Sequence, residues 1–427
     1  MQHRVEIEKL QLQRLQSLVK ELRAGNRFYQ NKLKDAGVDE SIPSLGAFSQ
    51  AMPFTSKAEI ERDREVAPPY GTNLTYPLDQ YSRLCQSSGT SGTPLAWNDT
   101  QESWAALLDC WDEVYRAAGV TKADLVFFAS SFGPFLGFWT AFESATRAGI
   151  RVLPGGGMSS VARLRAMVMH RATVLCCTPT YALRLGEVLA AERGNEKFEG
   201  MSIGKVIVAG EPGGSIPQVR ERLEHLWAGA RVFDHHGMTE VGPVSYERLD
   251  RPMSLCVIEE AYYAEIIDRE TLREVEVGEK GELVLTTLRR TACPLLRYRT
   301  GDLVEKGYFL DESGTTGRKI LCLEGGILGR VDEMVVIRGV NIYPTAIESI
   351  IRGFPEVAEY QVIHSTRDSM DELEIAIEPV AGKGDSALKE RIGLALQDAL
   401  TLRIPIKMVD PGSLPRFEFK ARRWVKH

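Results

Sequence analysis

Short apolar runs alternate with longer helical patterns between about residue 120 and residue 240 of the chain. The runs are rich in β-branched and aromatic residues and occupy positions 125–128, 151–153, 174–177, 205–208 and 231–233. This alternation is typical of βαβ units, in which helices cover both faces of a mostly parallel sheet. Several runs end in Gly, Pro or Ser, and ligands bind at such carboxyl ends of strands in open α/β sheets.

The pattern changes after about residue 255, where polar and apolar positions alternate. Residues 263–268 and 282–287 alternate in this way, which is typical of antiparallel strands. The C-terminal part has the size and pattern of a separate α+β unit, in which Pro344 stands in the first turn of a helix. We therefore predict an α/β fold. A large N-terminal domain, residues 1–331, combines mostly parallel α/β sheets with an antiparallel barrel-like subdomain, and a small mobile C-terminal α+β domain covers residues 332–427.

The composition is that of an ordinary globular protein. Of 427 residues, 44% are hydrophobic, and 52 Lys and Arg against 58 Asp and Glu give a formal net charge of −6. This small surplus, without a basic aromatic motif, argues against a nucleic-acid partner. The seven cysteines are an odd number without C-x-x-C spacing, so neither a disulfide framework nor a zinc ribbon is indicated. We expect a reducing compartment.

Two segments bear on membrane association. The N-terminus is charged throughout and predicts an amphipathic helix rather than a signal peptide. Residues 125–142 carry no charge over 18 positions, the lower limit for a membrane span, but Gly133 and Pro134 would break a helix there. A buried strand followed by an aromatic loop fits better, so we expect a cytoplasmic protein without a membrane partner. The apolar residues of the N-terminal helix are Leu15, Leu18, Val19 and Leu22.

One loop alternates hydroxyl residues with glycines. Glycines allow successive backbone N–H groups to converge on an anion, and hydroxyls add donors, so the loop suits phosphate oxygens. A flexible linker is the alternative interpretation. The phosphate loop of P-loop NTPases is excluded, because no Gly-Lys-Ser/Thr follows the glycines. The residues of this candidate phosphate loop are Ser87, Ser88, Gly89, Thr90, Ser91, Gly92 and Thr93.

Four further segments follow this loop in a fixed order. They are residues 209–212, 236–240, 298–302, and 329–332 continuing to 338–344. With them the chain resembles the adenylate-forming superfamily of acyl-coenzyme A synthetases and ligases, and within it the phenylacetate–coenzyme A ligase family. The resemblance covers nearly the whole chain. It implies that ATP, Mg²⁺ and coenzyme A are used.

The resemblance also implies a set of nucleotide contacts. The candidate phosphate loop would hold the β- and γ-phosphates of ATP. Glu240, with Thr239 beside it, would face magnesium, a hard cation that prefers carboxylate oxygen. Asp302 would accept hydrogen bonds from the two ribose hydroxyls. Without the resemblance, Glu240 would be a solvated loop residue and Asp302 a turn residue. The adenine pocket would be formed by Gly210, Glu211, Pro212, His235, His236, Gly237 and Met238.

Within that pocket, two adjacent histidines have different expected roles. Many relatives have Tyr or Phe where His236 stands, so an imidazole would stack on the purine here. His235 is equally suited to packing, and we expect catalysis from neither histidine.

Further roles fall in the C-terminal part of the chain. Arg330 would contact the ribose or a phosphate, and Asp332 would be the hinge of the mobile domain. Gly339 would let the pantetheine of coenzyme A pass closely. Lys420 would be catalytic, because a cation that bridges the substrate carboxylate and the α-phosphate lowers the cost of bringing two anions together. A solvated basic tail is the alternative for Lys420.

Several positions depart from the family pattern. Phe419 replaces the usual glycine before the lysine, and Thr93 replaces a lysine of the phosphate loop. Some relatives carry a small Cys/His metal cluster in the antiparallel region, but Cys256, Cys293 and Cys322 are isolated in this sequence. We therefore predict no structural zinc.

An aromatic segment offers space for the acyl substrate through Phe132, Phe135, Gly137 and Phe138. Aromatic surface with glycine space suits a flat aryl group, and core packing is the alternative. By resemblance, the acid is an aryl or arylacetic acid, either phenylacetate-like or benzoate/anthranilate-like.

The predicted activity is that of an AMP-forming acid–thiol ligase. It would convert a small-molecule carboxylic acid and Mg-ATP into an acyl-adenylate, release pyrophosphate, and transfer the acyl group to coenzyme A. One alternative is an acid-adenylating enzyme that loads the phosphopantetheine arm of a carrier protein. A second alternative is a nucleotide-binding regulatory protein with impaired catalysis, which the departures at Thr93 and Phe419 permit. A homodimer is also left open.

Overall fold

The computed structural model describes residues 2–87, 94–192, 198–311, 318–338, 340–367, 370–418 and 420–426. The N-terminal region consists of helices α1 (Gln2–Gly25), α2 (Arg27–Asp35), α3 (Leu45–Ala51) and α4 (Lys57–Val66). The amphipathic helix predicted at the N-terminus is confirmed. Four of its residues are at most 1% exposed and pack with residues of α2 and α3 against Leu288 and Leu296, namely Leu15, Leu18, Val19 and Leu22.

A hairpin and a long helix follow, formed by β1 (Tyr81–Gln86), β2 (Ala96–Thr100) and α5 (Gln101–Ala117). The two strands are antiparallel, with Cys85 opposite Trp97. Thr100 caps α5, because its hydroxyl accepts a hydrogen bond from the backbone N–H of Ser103 at 3.2 Å. The candidate phosphate loop therefore connects the two arms of a hairpin.

All five apolar runs identified in the sequence are strands. The runs that form β3 and β5 are fully buried, as expected for apolar strands flanked by helices, whereas β4 is the edge strand and is only partly buried. The elements in chain order are β3 (Leu125–Phe128), α6 (Leu136–Arg147), β4 (Arg151–Pro154), α7 (Ser160–Met169), β5 (Val174–Cys177), α8 (Pro179–Ala191), β6 (Lys205–Ala209), α9 (Pro217–Leu226) and β7 (Arg231–Met238).

Antiparallel strands follow β7 in the chain. They are β8 (Gly242–Arg248), β9 (Arg251–Val257), β10 (Tyr262–Ile267), β11 (Lys280–Thr287), β12 (Tyr298–Asp311) and β13 (Arg318–Arg330). These strands extend the parallel sheet instead of forming a separate one, and the 11 strands lie in the order β10-β11-β12-β13-β9-β8-β7-β6-β5-β3-β4. The change occurs at β7, which is parallel to β6 and antiparallel to β8.

The order of the parallel strands creates a place for a ligand. Strand β3 pairs with β4 on one side and with β5 on the other, so the chain reverses its direction of winding there. Ligands of open α/β sheets bind outside the carboxyl ends of strands at such a switch point. The predicted α/β fold class is confirmed.

Side chains of β3 illustrate how the sheet is packed. Val126 and Phe128 belong to one hydrophobic cluster, whereas Leu125 and Phe127 belong to another. Because successive side chains of a strand point to opposite faces, the two clusters cover the two faces of the sheet. All four residues are at most 7% exposed, so the sheet provides a rigid support for the loops at its edge.

The C-terminal part has a hydrophobic cluster of its own, with Ile347, Ile375 and Leu396 among its buried members. Pro344 is the first residue of its first helix, as predicted. The elements of this part are β14 (Val335–Ile337), β15 (Val340–Ile342), α10 (Pro344–Arg352), β16 (Val357–Arg367), β17 (Met370–Pro379), α11 (Ser386–Leu400), β18 (Ile406–Met408) and β19 (Trp424–Lys426). Four of these strands form a sheet in the order β18-β17-β16-β19.

The uncharged stretch 125–142 is divided among β3, a loop and α6. The helix begins at Leu136, two residues after Pro134, because Gly133 has φ of +48° and neither Gly133 nor Pro134 continues a helix. The aromatic loop is therefore shorter than predicted, and Phe138 lies on a helix. In the part of the chain that the structure describes, no helix is long and apolar enough to cross a membrane.

Candidate active site

Ser87, the first residue of the candidate phosphate loop, contacts Leu95, which follows the loop in the chain. The backbone N–H of Ser87 donates to the carbonyl oxygen of Leu95 at 2.9 Å, and the Ser87 hydroxyl accepts from the N–H of Leu95 at 3.0 Å. These bonds close the base of the loop. The predictions for Ser88, Gly89, Thr90, Ser91, Gly92 and Thr93 lie outside the described residues, as does the prediction for Gly339.

Gly210 follows the carboxyl end of β6 with φ of +94°, a conformation that glycine adopts readily. A β-carbon at this position would stand 3.4 Å from Cε of Lys420. The end of the chain therefore reaches back to the edge of the sheet, and Lys420 meets the segment predicted to border the adenine. The neighbouring Pro212 is exposed.

Glu211 connects the two parts of the molecule. One carboxylate oxygen accepts from the backbone N–H of Thr180 at 2.9 Å, and the other accepts from the N–H of Ala421 at 2.8 Å. Burial raises the pKa of this carboxyl, while the two hydrogen bonds act in the opposite direction. Because Ala421 follows Lys420, Glu211 fixes the backbone beside the candidate catalytic lysine.

Thr239 and Glu240 occupy the turn between β7 and β8, and both are partly buried. Gly237 and Met238 form the end of β7 that leads into this turn. Within the described residues, the Glu240 carboxylate accepts no hydrogen bond. A carboxylate with free acceptor oxygens fits a hard cation such as Mg²⁺, which prefers oxygen ligands and keeps several of its waters.

Asp302 is buried and is held from two sides. His236 Nε2 lies 3.1 Å from one of its carboxylate oxygens, and Arg330 Nη1 donates to the other at 3.0 Å. Burial would raise the pKa of Asp302, but the hydrogen bond from His236 and the charge of Arg330 outweigh it and hold this pKa below its usual value. Asp302 is therefore an ionised acceptor, so His236 Nε2 carries a proton toward it. His236 Nδ1 is buried and has no hydrogen-bond partner among the described residues.

His235 points away from Asp302. Its Nδ1 lies 2.7 Å from the carbonyl oxygen of Ser245, and its ring centroid lies 4.4 Å from that of Trp111. Burial lowers the pKa of His235 to about 3, so the imidazole is neutral. This is the packing position that the sequence left open.

Arg330 also pairs with the predicted hinge. Its Nε and Nη2 donate to the two carboxylate oxygens of Asp332, each at 3.0 Å. The next residue after Arg330, Val331, donates its N–H to the carbonyl oxygen of Gly301 at 2.7 Å. Arg330 thus links the candidate ribose ligand, Asp302, to an exposed residue at the start of the C-terminal part.

Burial lowers the pKa of Lys420, against the charges of Glu211 and Glu240, which act to raise it. The charges of two carboxylates of the site therefore act on the ammonium group. Both the predicted catalytic lysine and the predicted magnesium ligand are brought to the edge of the sheet where β6 and β7 end.

Contacts away from Lys420 also hold the C-terminal part against the sheet. Arg222 on α9 donates to the carbonyl oxygen of Val357 at 3.1 Å, and the Ser349 hydroxyl on α10 donates to Gln218 Oε1 at 2.9 Å. Arg423 lies among carboxylates of its own domain, with Nε 2.7 Å from Glu359. These contacts define one fixed arrangement of the two parts.

The predicted acyl-pocket residues lie together after β3. The ring of Phe132 has its centroid 4.9 Å from Trp139, 5.3 Å from Phe142 and 6.4 Å from Phe138. Phe135 is the last residue before α6 and is partly buried. A hydrogen bond of 2.7 Å from the backbone N–H of Gln86 to the carbonyl oxygen of Pro134 joins this aromatic loop to the strand that ends beside Ser87.

Gly137 differs from the aromatic members of this set. It is exposed, and a β-carbon there would meet no atom within 4 Å. Position 137 can therefore accept a larger side chain without strain from its neighbours.

Two cysteines that are isolated in the sequence are adjacent in the structure. Strand pairing sets Cys256 opposite Cys322, with their sulfur atoms 3.1 Å apart and both side chains buried. The prediction that Cys256 and Cys322 are isolated was wrong. The two residues are 66 positions apart in the chain, and only the pairing of their strands brings them together. In the described ranges, no group of three or more His, Cys, Asp and Glu residues could hold a metal ion.

Sequence reasoning also missed Asp99 and Arg290, which form a fully buried ion pair behind the Thr239–Glu240 turn. Arg290 stands just before the segment 298–302, yet nothing in its spacing distinguishes it from the adjacent Arg289. Only its pairing with Asp99 in the structure identifies Arg290.

Comparison with known proteins gives the same assignment at the level of family. Residues 15–288 match the model of the AMP-binding enzymes, and residues 339–427 match that of the AMP-binding enzyme C-terminal domain. The phenylacetate-coenzyme A ligase of Thermus thermophilus is 30% identical over 443 residues, which cover 97% of this chain and 95% of that protein. These matches and the site define an adenylate-forming enzyme. The chain belongs to the phenylacetate–coenzyme A ligase family of that superfamily.

The predicted family and the predicted enzyme class, an AMP-forming acid–coenzyme A ligase, are thereby confirmed. Enzymes of this class use ATP and coenzyme A and work through an acyl-adenylate. The finer assignment of the acid belongs to the proposal below.

Solved structures identify the arrangement of the two parts. A crystal structure of 2-hydroxyisobutyryl-CoA ligase in the postadenylation state, in complex with R3-HIB-AMP, is 28% identical and has a TM-score of 0.90, covering 99% of this chain and 90% of that one. The same ligase in the thioesterification state covers equal shares but has a TM-score of 0.72. The contacts around Lys420 therefore belong to an arrangement like that of the postadenylation state.

Proposed function

We propose that this chain is a ligase for an aryl or arylacetic acid, such as a phenylacetate-like or benzoate/anthranilate-like acid. The observation that carries the proposal is the aromatic group around Phe132, which is joined through Pro134 and Gln86 to the strand that ends beside Ser87. A flat ring would lie against this surface with its carboxylate directed toward the phosphate loop. The full-length similarity to a phenylacetate-coenzyme A ligase supports the same class of acid.

For the first half-reaction, Asp302 would accept hydrogen bonds from the ribose hydroxyls, with Arg330 and His236 holding its carboxylate in place. Glu240 would hold magnesium, which neutralises phosphate charge when it is bound. Lys420 would lie between the substrate carboxylate and the α-phosphate. In support, Lys420 borders Gly210 and carries its charge near Glu240. A cation there stabilises the charge that develops as the carboxylate attacks phosphorus.

For the second half-reaction, the C-terminal domain would rotate about Asp332 and present Gly339 to the pantetheine of coenzyme A. Asp332 suits a hinge, because it is exposed and its carboxylate contacts only the Arg330 side chain among the described residues. Rotation would break the contacts of Ala421 and Val357 with the body of the protein, and these contacts are few enough to be exchanged.

A second candidate substrate is a small branched 2-hydroxy acid. The TM-score of 0.90 to 2-hydroxyisobutyryl-CoA ligase over almost the entire chain favours it. The two candidates differ in what the aromatic residues do. For an aryl acid they form the wall of the pocket, whereas for a small acid they are packing residues.

Acid-dependent pyrophosphate–ATP exchange tests the proposal. The panel contains phenylacetate, benzoate, anthranilate, 2-hydroxyisobutyrate and a fatty acid, and the kcat/KM for each acid is compared. We expect the aromatic acids to exceed the others. A preference for 2-hydroxyisobutyrate would replace the proposal by the second candidate, and exchange with none of the acids would refute both. Gly137→Leu provides an internal check, because filling this open position should lower kcat/KM for aromatic acids more than for small ones.

The acceptor is tested separately. The enzyme is given the preferred acid, Mg-ATP, coenzyme A and a carrier protein in its phosphopantetheine form, and products are identified by mass. Acyl-coenzyme A is the expected product, and an acylated carrier protein formed in preference would identify the carrier as the acceptor.

A further inference from the structure

Arg290 and Asp99 form a buried ion pair directly behind the Thr239–Glu240 turn. Nε and Nη2 of the guanidinium donate to the two carboxylate oxygens of Asp99 at 2.8 and 2.6 Å. Both side chains are 1% exposed. The indole ring of Trp97 lies under the guanidinium, with its centroid 5.7 Å from Cζ. A planar fork of donors on a carboxylate has a single favourable geometry, so this pair is rigid.

The remaining nitrogen of Arg290 is directed at the candidate magnesium site. Nη1 donates to the carbonyl oxygen of Thr239 at 2.8 Å and to that of Glu240 at 2.9 Å. Two successive carbonyl groups are thus oriented toward one buried cation. Their orientation determines the backbone dihedral angles of the turn and therefore the direction in which the Glu240 side chain leaves it.

The other partner, Asp99, connects the pair to the candidate phosphate loop. It lies on β2, opposite Arg83 of β1, and these two strands are the arms of the hairpin that the phosphate loop closes. Asp99 and Arg290 are 191 residues apart in the chain. The ion pair therefore joins two elements, the phosphate-loop hairpin and the Glu240 turn, that must act on the same Mg-ATP.

The position of the pair, more than its mere presence, suggests a use. Burying two charges costs several kcal/mol per ion before their attraction is counted, and replacement of such pairs by apolar residues is often neutral or stabilising. A pair at this position gains a specific use when it fixes the distance between two parts of a site. Groups behind a metal ligand typically control metal affinity or activity by about 10- to 100-fold.

We propose that Arg290, anchored by Asp99 on β2, is a positioning residue that orients the Glu240 turn, and with it the Glu240 carboxylate, for Mg-ATP. The inference rests on the proposed role of Glu240 in binding magnesium. Arg290 itself touches neither substrate nor metal in this arrangement. It acts through the two carbonyl groups of the turn.

The test uses Arg290→Lys in the full-length protein. Lysine keeps the charge but loses the planar fork, so it cannot hold the carboxylate and both carbonyl groups together. The affinity for Mn²⁺ is measured by electron paramagnetic resonance in the presence of α,β-methylene-ATP, which cannot transfer its adenylyl group. We expect Mn²⁺ to bind about tenfold more weakly and pyrophosphate exchange to fall by about 10- to 100-fold. Thioester formation from a supplied acyl-adenylate should change by less than about twofold, because that step does not use the metal.

Arg297 provides a matched control. It forms the same kind of buried pair with Glu265, at 3.0 and 2.9 Å, and its Nη1 also donates to backbone carbonyl groups, those of Ser49 and Met52. Arg297→Lys therefore removes equivalent interactions, none of which is made to the Glu240 turn. Its Mn²⁺ affinity should equal that of the wild type even if its thermal stability falls as far as that of Arg290→Lys.

Wild-type Mn²⁺ affinity in Arg290→Lys would overturn the inference, as would an equal loss of affinity in Arg297→Lys. If Arg290→Lys does not fold, Asp99→Asn serves in its place. The amide keeps the shape of the carboxylate, and a loss of Mn²⁺ affinity is expected there too, with unchanged affinity refuting the role of the pair. The proposed function is tested by a different result. It would be wrong if the wild type exchanged pyrophosphate with no acid of the panel, even if Mn²⁺ affinity differed between Arg290→Lys and Arg297→Lys as expected.

Discussion

The carboxylate of Glu211 accepts the backbone N–H of Ala421 at 2.8 Å. Its second oxygen accepts the N–H of Thr180, in the first turn of α8, at 2.9 Å. Glu211 therefore joins the body of the protein to the residue that follows Lys420. Since Glu211 and Ala421 belong to different parts of the molecule, the proposed rotation of the C-terminal part would break this bond. The contact is specific to the arrangement in which Lys420 reaches the site.

Glu211→Gln should therefore impair adenylation more than thioester formation. The amide retains one acceptor oxygen, and its NH₂ group would face a backbone N–H, so one of the two bonds is lost. Loss of a hydrogen bond to a charged group predicts a decrease of about 10- to 100-fold in pyrophosphate exchange. Thioester formation from a supplied acyl-adenylate should not decrease, because the bond is absent after rotation.

Gln218→Ala is the control for Glu211→Gln. It removes the hydrogen bond from Ser349, another contact between the two parts that lies far from Lys420 along the chain. Loss of this neutral bond should lower exchange by less than about tenfold. Equal losses in both half-reactions of Glu211→Gln would contradict the positioning of Lys420 and would indicate a general defect.

Lys420→Ala should abolish acid-dependent pyrophosphate exchange but leave a supplied acyl-adenylate reactive toward coenzyme A. The alanine variant removes the cation that offsets the repulsion between carboxylate and phosphate, whereas the second half-reaction begins after that repulsion is gone. Rapid-quench measurement of each half-reaction separates the two outcomes. Persisting exchange would remove Lys420 from the mechanism.

The pH dependence of adenylation follows from the same lysine. Burial lowers the pKa of Lys420 below its ordinary value of 10.5. The protonated form is the active one, so kcat/KM for ATP in the exchange reaction should fall as the pH rises through this lowered pKa. Lys420→Arg should show no such decline in the same range, because arginine stays protonated above pH 12. An equal decline of kcat/KM at high pH in Lys420→Arg would show that the titrating group is not Lys420.

Sequence reasoning found the elements and motifs that depend on local pattern, and it missed those that depend on strand pairing. The runs that became β3 to β7 are apolar because both faces of the sheet are covered, so each was recognisable from its own residues. Asp302 and Glu240 were predicted as site residues because they stand in motifs of fixed order. The pairing of Cys256 with Cys322 and of Asp99 with Arg290 depends on which distant segments become neighbours, and short windows of sequence carry no such information.

The direction of the histidine side chains was also beyond the sequence. Neighbouring residues of a strand point to opposite faces, so one of His235 and His236 had to face the core. Which one did so depends on the register of β7 with β8, where His235 lies opposite Tyr246. In the structure His235 packs on Trp111 and His236 contacts Asp302.

Asp332→Pro should slow thioester formation more than pyrophosphate exchange. Proline fixes φ near −65° and thereby restricts the rotation that the second half-reaction needs. Asp332→Asn is the matched control, because it removes the charge paired with Arg330 at 3.0 Å but leaves the backbone free. The difference in the rate of thioester formation between Asp332→Pro and Asp332→Asn measures the effect of backbone stiffness. Normal thioester turnover in Asp332→Pro would count against rotation at this residue.

Glu348 should make the C-terminal domain sensitive to acid. Burial would raise the pKa of this carboxyl, but Arg423 and Arg352 outweigh burial and lower the pKa from its ordinary 4.5 to about 2. A depressed pKa stabilises the folded state above pH 4.5, by about 3 kcal/mol, and this stabilisation is lost as the pH falls toward 2. Glu348→Gln should therefore lower the free energy of unfolding, measured in urea, by about 3 kcal/mol at pH 7 and by less than half as much at pH 3. Glu390→Gln, at an exposed position of α11, should change it by less than about 0.5 kcal/mol at either pH. The opposite result is that Glu348→Gln lowers the free energy of unfolding by the same amount at pH 7 and pH 3. That result would show that Arg423 and Arg352 do not control the ionisation of Glu348.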